Sequence, residues 1–352
     1  MVTAKQQKAV LVTEIGKPVE LGTRDIPTPG EGQVLVKVTA TMILPHDTYG
    51  RDWGLLVEDR LPAVLGNNVA GVIDEVGPGV GFKVGERIFG ISGNVAASSD
   101  QAGLQEYAIL NADAIAHIPE GFSDAAVASL PINLVTSAAV LFTKTGFDMP
   151  APYLPRKDFD CATASVVIVG GGTNVGQLAV QLASLAGVGK IIVIAGTSNS
   201  AKLQAMGATH FIDRHSSSAE MVKQIHAITG PENATQVYSC APLDVDLVIG
   251  LLPKDKPSTL KTLLPFEGDE EEQLGASLPL CKFAFVHDLT NASLAPNAAQ
   301  FWAKVPEYLR TEKLLPADFQ VVHGLDDVSG INNALDQYRD FSRAGAQTVV
   351  LI

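Results

Sequence analysis

The stretch VVIVGGGTNVGQLAVQLASLAG, residues 166–187, constrains this chain more than any other. Four β-branched residues run into a cluster of glycines, and an apolar-periodic helix follows at once. The pattern then repeats. Strand 190–195 leads to helix 199–206, strand 209–213 to helix 218–228, and strand 235–240 follows. Strands that alternate with helices in this way imply a parallel sheet with helices on both faces.

Small residues at a strand-to-helix turn let backbone N–H groups approach a pyrophosphate, and the helix N-terminus adds partial positive charge. Here Gly170, Gly171 and Gly172 form the turn, and Gly176 stands where helix and sheet must pack closely. The spacing is not the strict G-x-G-x-x-G, since Val175 occupies the sixth place. A glycine turn also occurs as plain structure; the βαβαβ setting favours a dinucleotide. The end of the second strand bears on which one. NAD sites usually place an Asp or Glu there against the ribose 2′-OH. This strand ends IAGTSNSAK, and no acidic residue occurs between Lys190 and Asp213. Ser198, Lys202 and Arg214 can instead take up a 2′-phosphate, so the expected cofactor is NADPH. For Lys202 the plain alternative is an exposed helix lysine, and for Arg214 an ordinary surface arginine.

The rest of the chain reads differently. Residues 1–120 carry short β-branched runs, KAVLV, QVLVKVTA and AGVIDEVG, separated by turn clusters such as PTPGEG and GPGVGFKVGER. They imply an irregular barrel. In 123–142 the pattern turns helical, with Ser123 as N-cap and Pro131 as a break or kink. FDMPAPYLPRKDFD, 147–160, reads as a surface linker, and EGDEEEQ, 267–273, as a solvated loop. The tail offers helix 299–312, strand 319–323, helix 327–341 and a last strand TVVLI. The 352 residues suggest two domains, expected over 1–132 with 300–352 and over 133–299. A net charge of −13 argues against nucleic acid and anionic membranes as partners. Three scattered cysteines without a CxxC pair exclude a disulfide framework and a cysteine-rich zinc site. No unbroken apolar run reaches the roughly 18 residues of a membrane span. The start lacks the apolar core of a signal peptide. The expected location is therefore cytoplasmic.

With VGERIFG (84–90) and AGVIDEVG (70–77) ahead of a nucleotide domain, the chain resembles the medium-chain dehydrogenase/reductases over nearly its whole length. The resemblance implies an α/β protein: a GroES-like β-rich catalytic domain, completed by the C-terminal segment, plus a Rossmann domain with a doubly wound parallel sheet. Zinc alcohol dehydrogenases of that superfamily carry a Gly-His-Glu motif and a cysteine ligand. Here the matching stretch is LGNNVAG, with Asn67 and Asn68 in place of His and Glu, and TMILPHDTY has no cysteine. Amides are poor zinc ligands, so no metal is expected. ILPHDTY is similar to the N-P-x-D stretch of the quinone and enoyl reductases. GGGTNVGQLAVQLA, ASLPINLVTSAAVLF and the proline-rich linker resemble the fungal trans-acting enoyl reductases that serve polyketide synthases. Departures are Leu44 for the usual Asn, Arg214 where the group often has Tyr, and a missing glycine pair before TLLPFEG. A further departure is RAGAQTVV, which lacks the usual lysine after Ser-Gly.

The resemblance implies an NADPH-dependent, zinc-independent reductase of an activated C=C bond, acting on a small-molecule or carrier-protein-bound enoyl substrate, with a polyketide synthase as partner. A quinone or alkenal reductase and a non-catalytic NADPH-binding protein are the competing readings. His46, Asp47, Thr48 and Tyr49 would border the nicotinamide, with Thr136 facing it; of the expected catalytic hydroxyls, Thr136 would donate to the developing oxyanion, beside backbone N–H groups or the nicotinamide ribose hydroxyl, and Tyr49 would be a candidate proton donor to the α-carbon, with a structural hydrogen bond as its plain alternative. Gly171, Gly172, Thr173, Asn174, Val175 and Gly176 would hold pyrophosphate. Thr197, Ser198, Asn199, Ser200 and Lys202, with Arg214, would surround the adenosine phosphate. Leu263, Leu264, Ala344 and Gly345 would close over the nicotinamide end. Leu130, Pro131, Ile132 and Asn133, with Phe283, Phe285 and His287, would line the substrate channel. The sequence leaves the oligomeric state open.

Overall fold

A computed structural model describes residues 5–93, 98–286, 297–339 and 347–352. The N-terminal part comprises β1 (Gln6–Val12), β2 (Glu20–Asp25), β3 (Gln33–Ile43), α1 (Pro45–Trp53), β4 (Ala63–Val64), β5 (Asn68–Val76), β6 (Arg87–Ile91), β7 (Tyr107–Asn111) and β8 (Ile115–His117). Helices α2 (Asp124–Ala128) and α3 (Pro131–Phe142) follow. Then come β9 (Ser165–Val169), α4 (Asn174–Leu185), β10 (Lys190–Ala195), α5 (Ser200–Ala205), β11 (His210–Asp213) and α6 (Ser218–Thr229). They lead to β12 (Gln236–Ser239), α7 (Val245–Leu251), β13 (Ser258–Thr262), α8 (Glu270–Ser277) and β14 (Cys281–Phe285). The chain ends with α9 (Ala298–Arg310), β15 (Phe319–His323), α10 (Val328–Arg339) and β16 (Gln347–Leu351).

The chain divides into two compact units, one formed by Met1–Ile132 with Asn297–Ile352, the other beginning at Asn133 and running to Leu289. In the first, a seven-stranded sheet has the order β15-β16-β3-β5-β6-β8, with β7 also paired to β3, and a small sheet β2-β1-β4 accompanies it. Val34, Val36 and Val38 alternate inward along β3 and meet Val69, Ile73, Ile88 and Leu110 in one core. Trp302 of α9 is fully buried and stands edge-on to Phe89 and Phe301. Helix α1 is tied to α10: Thr48 donates to the Leu335 carbonyl at 2.8 Å. Nearly buried Arg51 pairs with Asp52 at 2.6 Å and Asp336 at 2.8 Å.

In the second unit six strands, all parallel, take the order β11-β10-β9-β12-β13-β14. The order reverses between β9 and β12, and a crevice at the carboxyl ends of the strands there is where open α/β sheets bind ligands. Val167, Ile192, Ile194, Val237 and Leu260 fill one face against α6, α7 and α8.

Several expectations are corrected. The acidic run 267–273 is only partly loop: α8 begins at Glu270. Its first turn holds Glu270, Glu271 and Glu272, where the helix dipole favours carboxylates, and buried Leu274 anchors it. The segment 147–160 is a surface linker only in its second half, since Phe147, Met149 and Ala151 are buried and the Phe147 amide bonds the Val140 carbonyl at 2.7 Å. Asp124–Phe142 has the length and apolarity of a membrane span once α2 and α3 are taken together, and 89% of that window is buried inside the fold. Pro131 does break this stretch, opening α3 after α2 has ended, and the Ser123 hydroxyl accepts from the Ala126 amide at 3.2 Å.

Candidate functional site

The glycine turn sits at the carboxyl end of β9, the first strand of the parallel sheet. Gly170 adopts a φ of +77°, which only glycine takes without strain. Thr173 caps α4: its hydroxyl accepts from the Gly176 amide at 3.1 Å and donates to the Gly170 carbonyl at 2.8 Å. A Cβ on Gly176 would stand 2.5 Å from the Gly170 oxygen, so helix and strand meet backbone to backbone. The amides of Gly172, Asn174 and Val175 find no acceptor among the described residues, as expected for the first turn of a helix. Two buried side-chain atoms here are also unpaired, Asn174 Nδ2 and Gln177 Oε1. Donors gathered at a helix N-terminus fit the phosphates of a dinucleotide. The Gln177 Nε2 holds the turn by donating to the Gly172 carbonyl at 2.9 Å.

The second strand, β10, ends beside this turn. Thr197–Asn199 form a short 3-10 turn, and Ser200 and Lys202 lie on α5, which covers all but the end residues of the expected helix 199–206. The Asn199 side chain lies against Gly172. The Arg214 amide bonds the Ala195 carbonyl at 3.0 Å, and its guanidinium lies beside Gly196. Thus Gly196, the 197–199 turn and exposed Arg214 meet at one strand end. Asp213 turns to the His215 amide at 3.1 Å.

Further along the sheet, the Leu263 amide bonds the Ser239 carbonyl at 3.1 Å, and the Thr262 hydroxyl donates to the Leu264 carbonyl at 2.8 Å. Phe283 and Phe285 share one face of β14, and Phe283 packs edge-on against Phe266 at 5.7 Å. Ala344, Gly345 and His287 lie outside the described residues. Thr136 is buried on α3. Its neighbour Ser137, which sequence reasoning missed, donates to the Val175 carbonyl at 3.0 Å. Gln177 was missed too; its signal is an amide pair, Gln177 and Gln181, four residues apart in an otherwise apolar helix. A separate cavity of about 580 Å³ opens at the amino ends of the strands, around Ser165, Lys190 and Gln236, opposite the end that carries the turn.

In the first unit, α1 carries His46 to Tyr49. Leu44 is its N-cap and Pro45 its first residue. The buried Asp47 carboxylate accepts from the Leu44 amide at 2.8 Å and the Gly66 amide at 2.9 Å. Burial pushes this carboxyl above its ordinary range, against the pull of His46 and these two amides. His46 Nε2 lies 2.7 Å from Asn67 Oδ1 and 3.9 Å from Asp47. Tyr49 stacks on Trp53 with ring centroids 5.0 Å apart, and burial raises its phenol above the usual value. Leu130, Pro131 and Ile132 are buried, and Asn133 is partly exposed.

Asn67 and Asn68 are both engaged. Asn68 Nδ2 donates to the Ala128 carbonyl at 2.8 Å, and its Oδ1 accepts from the Ile132 amide at 2.9 Å. Among the described residues no three His, Cys, Asp or Glu side chains gather as metal ligands. This donor set does not fit zinc, which takes thiolate, imidazole and carboxylate.

Two protein-family models match: an alcohol dehydrogenase GroES-like domain over residues 30–120 and a zinc-binding dehydrogenase over residues 174–252. The trans-enoyl reductase tazE of Aspergillus terreus is 32% identical over 193 residues, covering 53% of this chain and 61% of its own length. An uncharacterised protein of Saccharomyces cerevisiae is 30% identical over 274 residues, 69% of this chain and 70% of that protein. The chain belongs to the medium-chain dehydrogenase/reductase superfamily. The dehydrogenase orsE of Emericella nidulans is 33% identical to this superfamily member over 220 residues, 58% of this chain and 62% of that protein. The chain thus spans between 53% and 62% of the length of the first curated relatives it matches. In fold it is similar to an alcohol dehydrogenase superfamily protein from Novosphingobium aromaticivorans, with a TM-score of 0.79, 22% identity, and coverage of 98% and 99% of the two chains.

Proposed function

We propose that the chain is an NADPH-dependent, zinc-independent reductase of an activated C=C bond, acting as a trans-acting enoyl reductase on polyketide intermediates. The observation that carries this reading is the fate of Asn67 and Asn68. Both amides are spent on hydrogen bonds where zinc relatives place ligands, while the other unit offers unpaired donors at a glycine turn. In this reading residues 133–299 form the NADPH-binding domain. The names of relatives such as tazE support the substrate class.

When bound, the reduced nicotinamide supplies a hydride for the β-carbon of the enoyl group. The amides of Gly172, Asn174 and Val175 hold the pyrophosphate, and Ser198, Lys202 and Arg214 the 2′-phosphate. Negative charge develops on the substrate carbonyl oxygen, for which the Thr136 hydroxyl is the candidate side-chain donor. Loss of one such donor typically costs about 3 kcal/mol of transition-state stabilisation.

The test is turnover of NADPH with carrier-bound enoyl thioesters, free enoyl thioesters, alkenals and quinones. Reduction of enoyl thioesters, fastest on the carrier and unchanged after treatment with a strong chelator, is the expected result. Failure on every enoyl thioester, or inactivation by the chelator, overturns the reading.

A further inference from the structure

We infer that the cavity at the amino ends of the parallel strands is a second binding site, built for a small organic cation with several N–H donors, such as a polyamine. Its lining residues lie between Asp158 and Gln236, all in the second unit, so the site is complete within that unit. Its volume of about 580 Å³ is in the range of small-molecule pockets, and it opens at the end of the sheet opposite the glycine turn. Phe159 and Ala164 are the apolar members of the wall, so an apolar ligand finds little to bury against.

The hydrogen bonds of the wall leave acceptors over, because its donors are spent on backbone carbonyls. Ser165 Oγ donates to the Asn233 carbonyl at 2.9 Å, and Lys190 Nζ to the Ile228 carbonyl at 2.9 Å. Asn233 Nδ2 donates to the Thr229 carbonyl at 3.0 Å, and Gln236 Nε2 to the Phe147 carbonyl at 3.2 Å. A carbonyl only accepts, so these bonds fix which end of each amide is engaged. Asn233 Oδ1 and Gln236 Oε1 are left without a donor among the described residues. Two carboxylates join them. Asp160 uses one oxygen on the Ala162 amide at 3.0 Å. Asp158 lies 3.6 Å from Arg156, which is itself held by Asp148 at 2.7 Å. Against these acceptors stand the two remaining N–H bonds of Lys190 and the Thr235 hydroxyl. Thr229 ends α6 and lines the cavity, so the negative end of that helix's dipole faces it too. An anion would meet two carboxylates, this helix end and a chain of net charge −13. A cation gains from all three. The chain's own cations show the pull: Lys190 sits at the helix end, and the Arg156 guanidinium lies 5.9 Å over the Phe159 ring.

The experiment is calorimetric titration of the full chain with spermidine at physiological ionic strength, with glucose and inorganic phosphate as the neutral and anionic probes. Spermidine should bind saturably at one site, and the other two should not bind. Asp158→Asn combined with Asp160→Asn removes two charges and keeps the side-chain oxygen that accepts from Ala162. It should weaken spermidine binding by about 3–30-fold. Glu271→Gln combined with Glu272→Gln, on α8, changes the net charge equally and should leave the affinity as it is. Lys190→Met removes a like charge and frees the Ile228 carbonyl, so it should tighten binding by about 2–5-fold. Circular dichroism checks the fold of each variant, and the paired asparagine variant decides alone where Lys190→Met does not fold. Absence of saturable spermidine binding overturns the inference. So does an equal loss in the two doubly substituted variants, which would mean diffuse attraction to an acidic surface. Glucose or phosphate binding more tightly than spermidine overturns it as well.

Discussion

Asn68 sits where the resemblance to zinc alcohol dehydrogenases implies a glutamate, and its amide instead bridges two helix ends. The last carbonyls of one helix and the first amides of the next lack intrahelical partners. Asn68 satisfies one of each, the Ala128 carbonyl at the end of α2 and the Ile132 amide at the start of α3, from a fully buried position. Replacing it by alanine leaves both groups unmet in the core. The expected cost is about 2–6 kcal/mol at one to three per group, measured by urea unfolding with tryptophan emission as the probe. Asn68→Leu, of similar volume, should suffer a like loss; a neutral leucine would mean that the amide is dispensable. The sequence made the substitution itself legible, because an asparagine stands where the resemblance implies a glutamate. It did not make the new bonds legible, because their partners lie 60 and 64 residues away. The same holds for His46 and Asn67, which meet across 21 residues.

Among the elements, the β9 turn and α4 were readable because everything that specifies them is local: a β-branched run, small residues, a capping threonine and an apolar period. The helices α7 and α8 were not. The acidic run before α8 reads as solvated, and only Leu274 among its residues is buried, so the helix rests on packing that no period announces. The linker 147–160 misled in its first half because prolines there coexist with buried Phe147 and Met149. Local legibility also makes the turn the element whose failure is easiest to design. Gly176→Ala puts a Cβ 2.5 Å from the Gly170 oxygen, a backbone atom with no rotamer to change. Helix α4 must lift from the strand, at roughly 1–3 kcal/mol, and carry its amides out of place. The expected outcome is lower stability together with weaker NADPH binding, measured by thermal unfolding and fluorescence titration. Gly81→Ala is the control: nothing stands within 4 Å of its Cβ, and it should be neutral or slightly stabilising. Equal NADPH binding in the two variants would mean that the turn does not carry the cofactor.

For the whole molecule, the division into a β-rich part and a parallel-sheet part was legible from the change of period along the chain. The place of the last strand was not a matter of local pattern: β16 pairs with β3, from the opposite end of the sequence. The net charge of −13 sets a condition on cofactor choice. A protein so acidic repels a phosphorylated ligand on average, and screening limits that field to about 8 Å at physiological ionic strength. In the proposed reading, preference for NADPH over NADH comes from contacts at the end of β10, where Arg214 stands beside Gly196. Binding to the folded state stabilises it by about 2.7 kcal/mol when ligand is at a hundred times its Kd. NADPH should give that shift, and NADH at the same concentration a smaller one. Both tryptophans, Trp53 and Trp302, lie in the first unit, so the shift should be followed by circular dichroism, which also reports the sheet that carries the turn. Arg214→Ala should narrow the gap between the two cofactors by about 1–2 kcal/mol, since the arginine is exposed and its charge partly screened. Added salt should narrow it too, because only NADPH has the 2′-phosphate that these cations meet. A gap that neither the substitution nor salt changes would place the discrimination elsewhere than at this strand end.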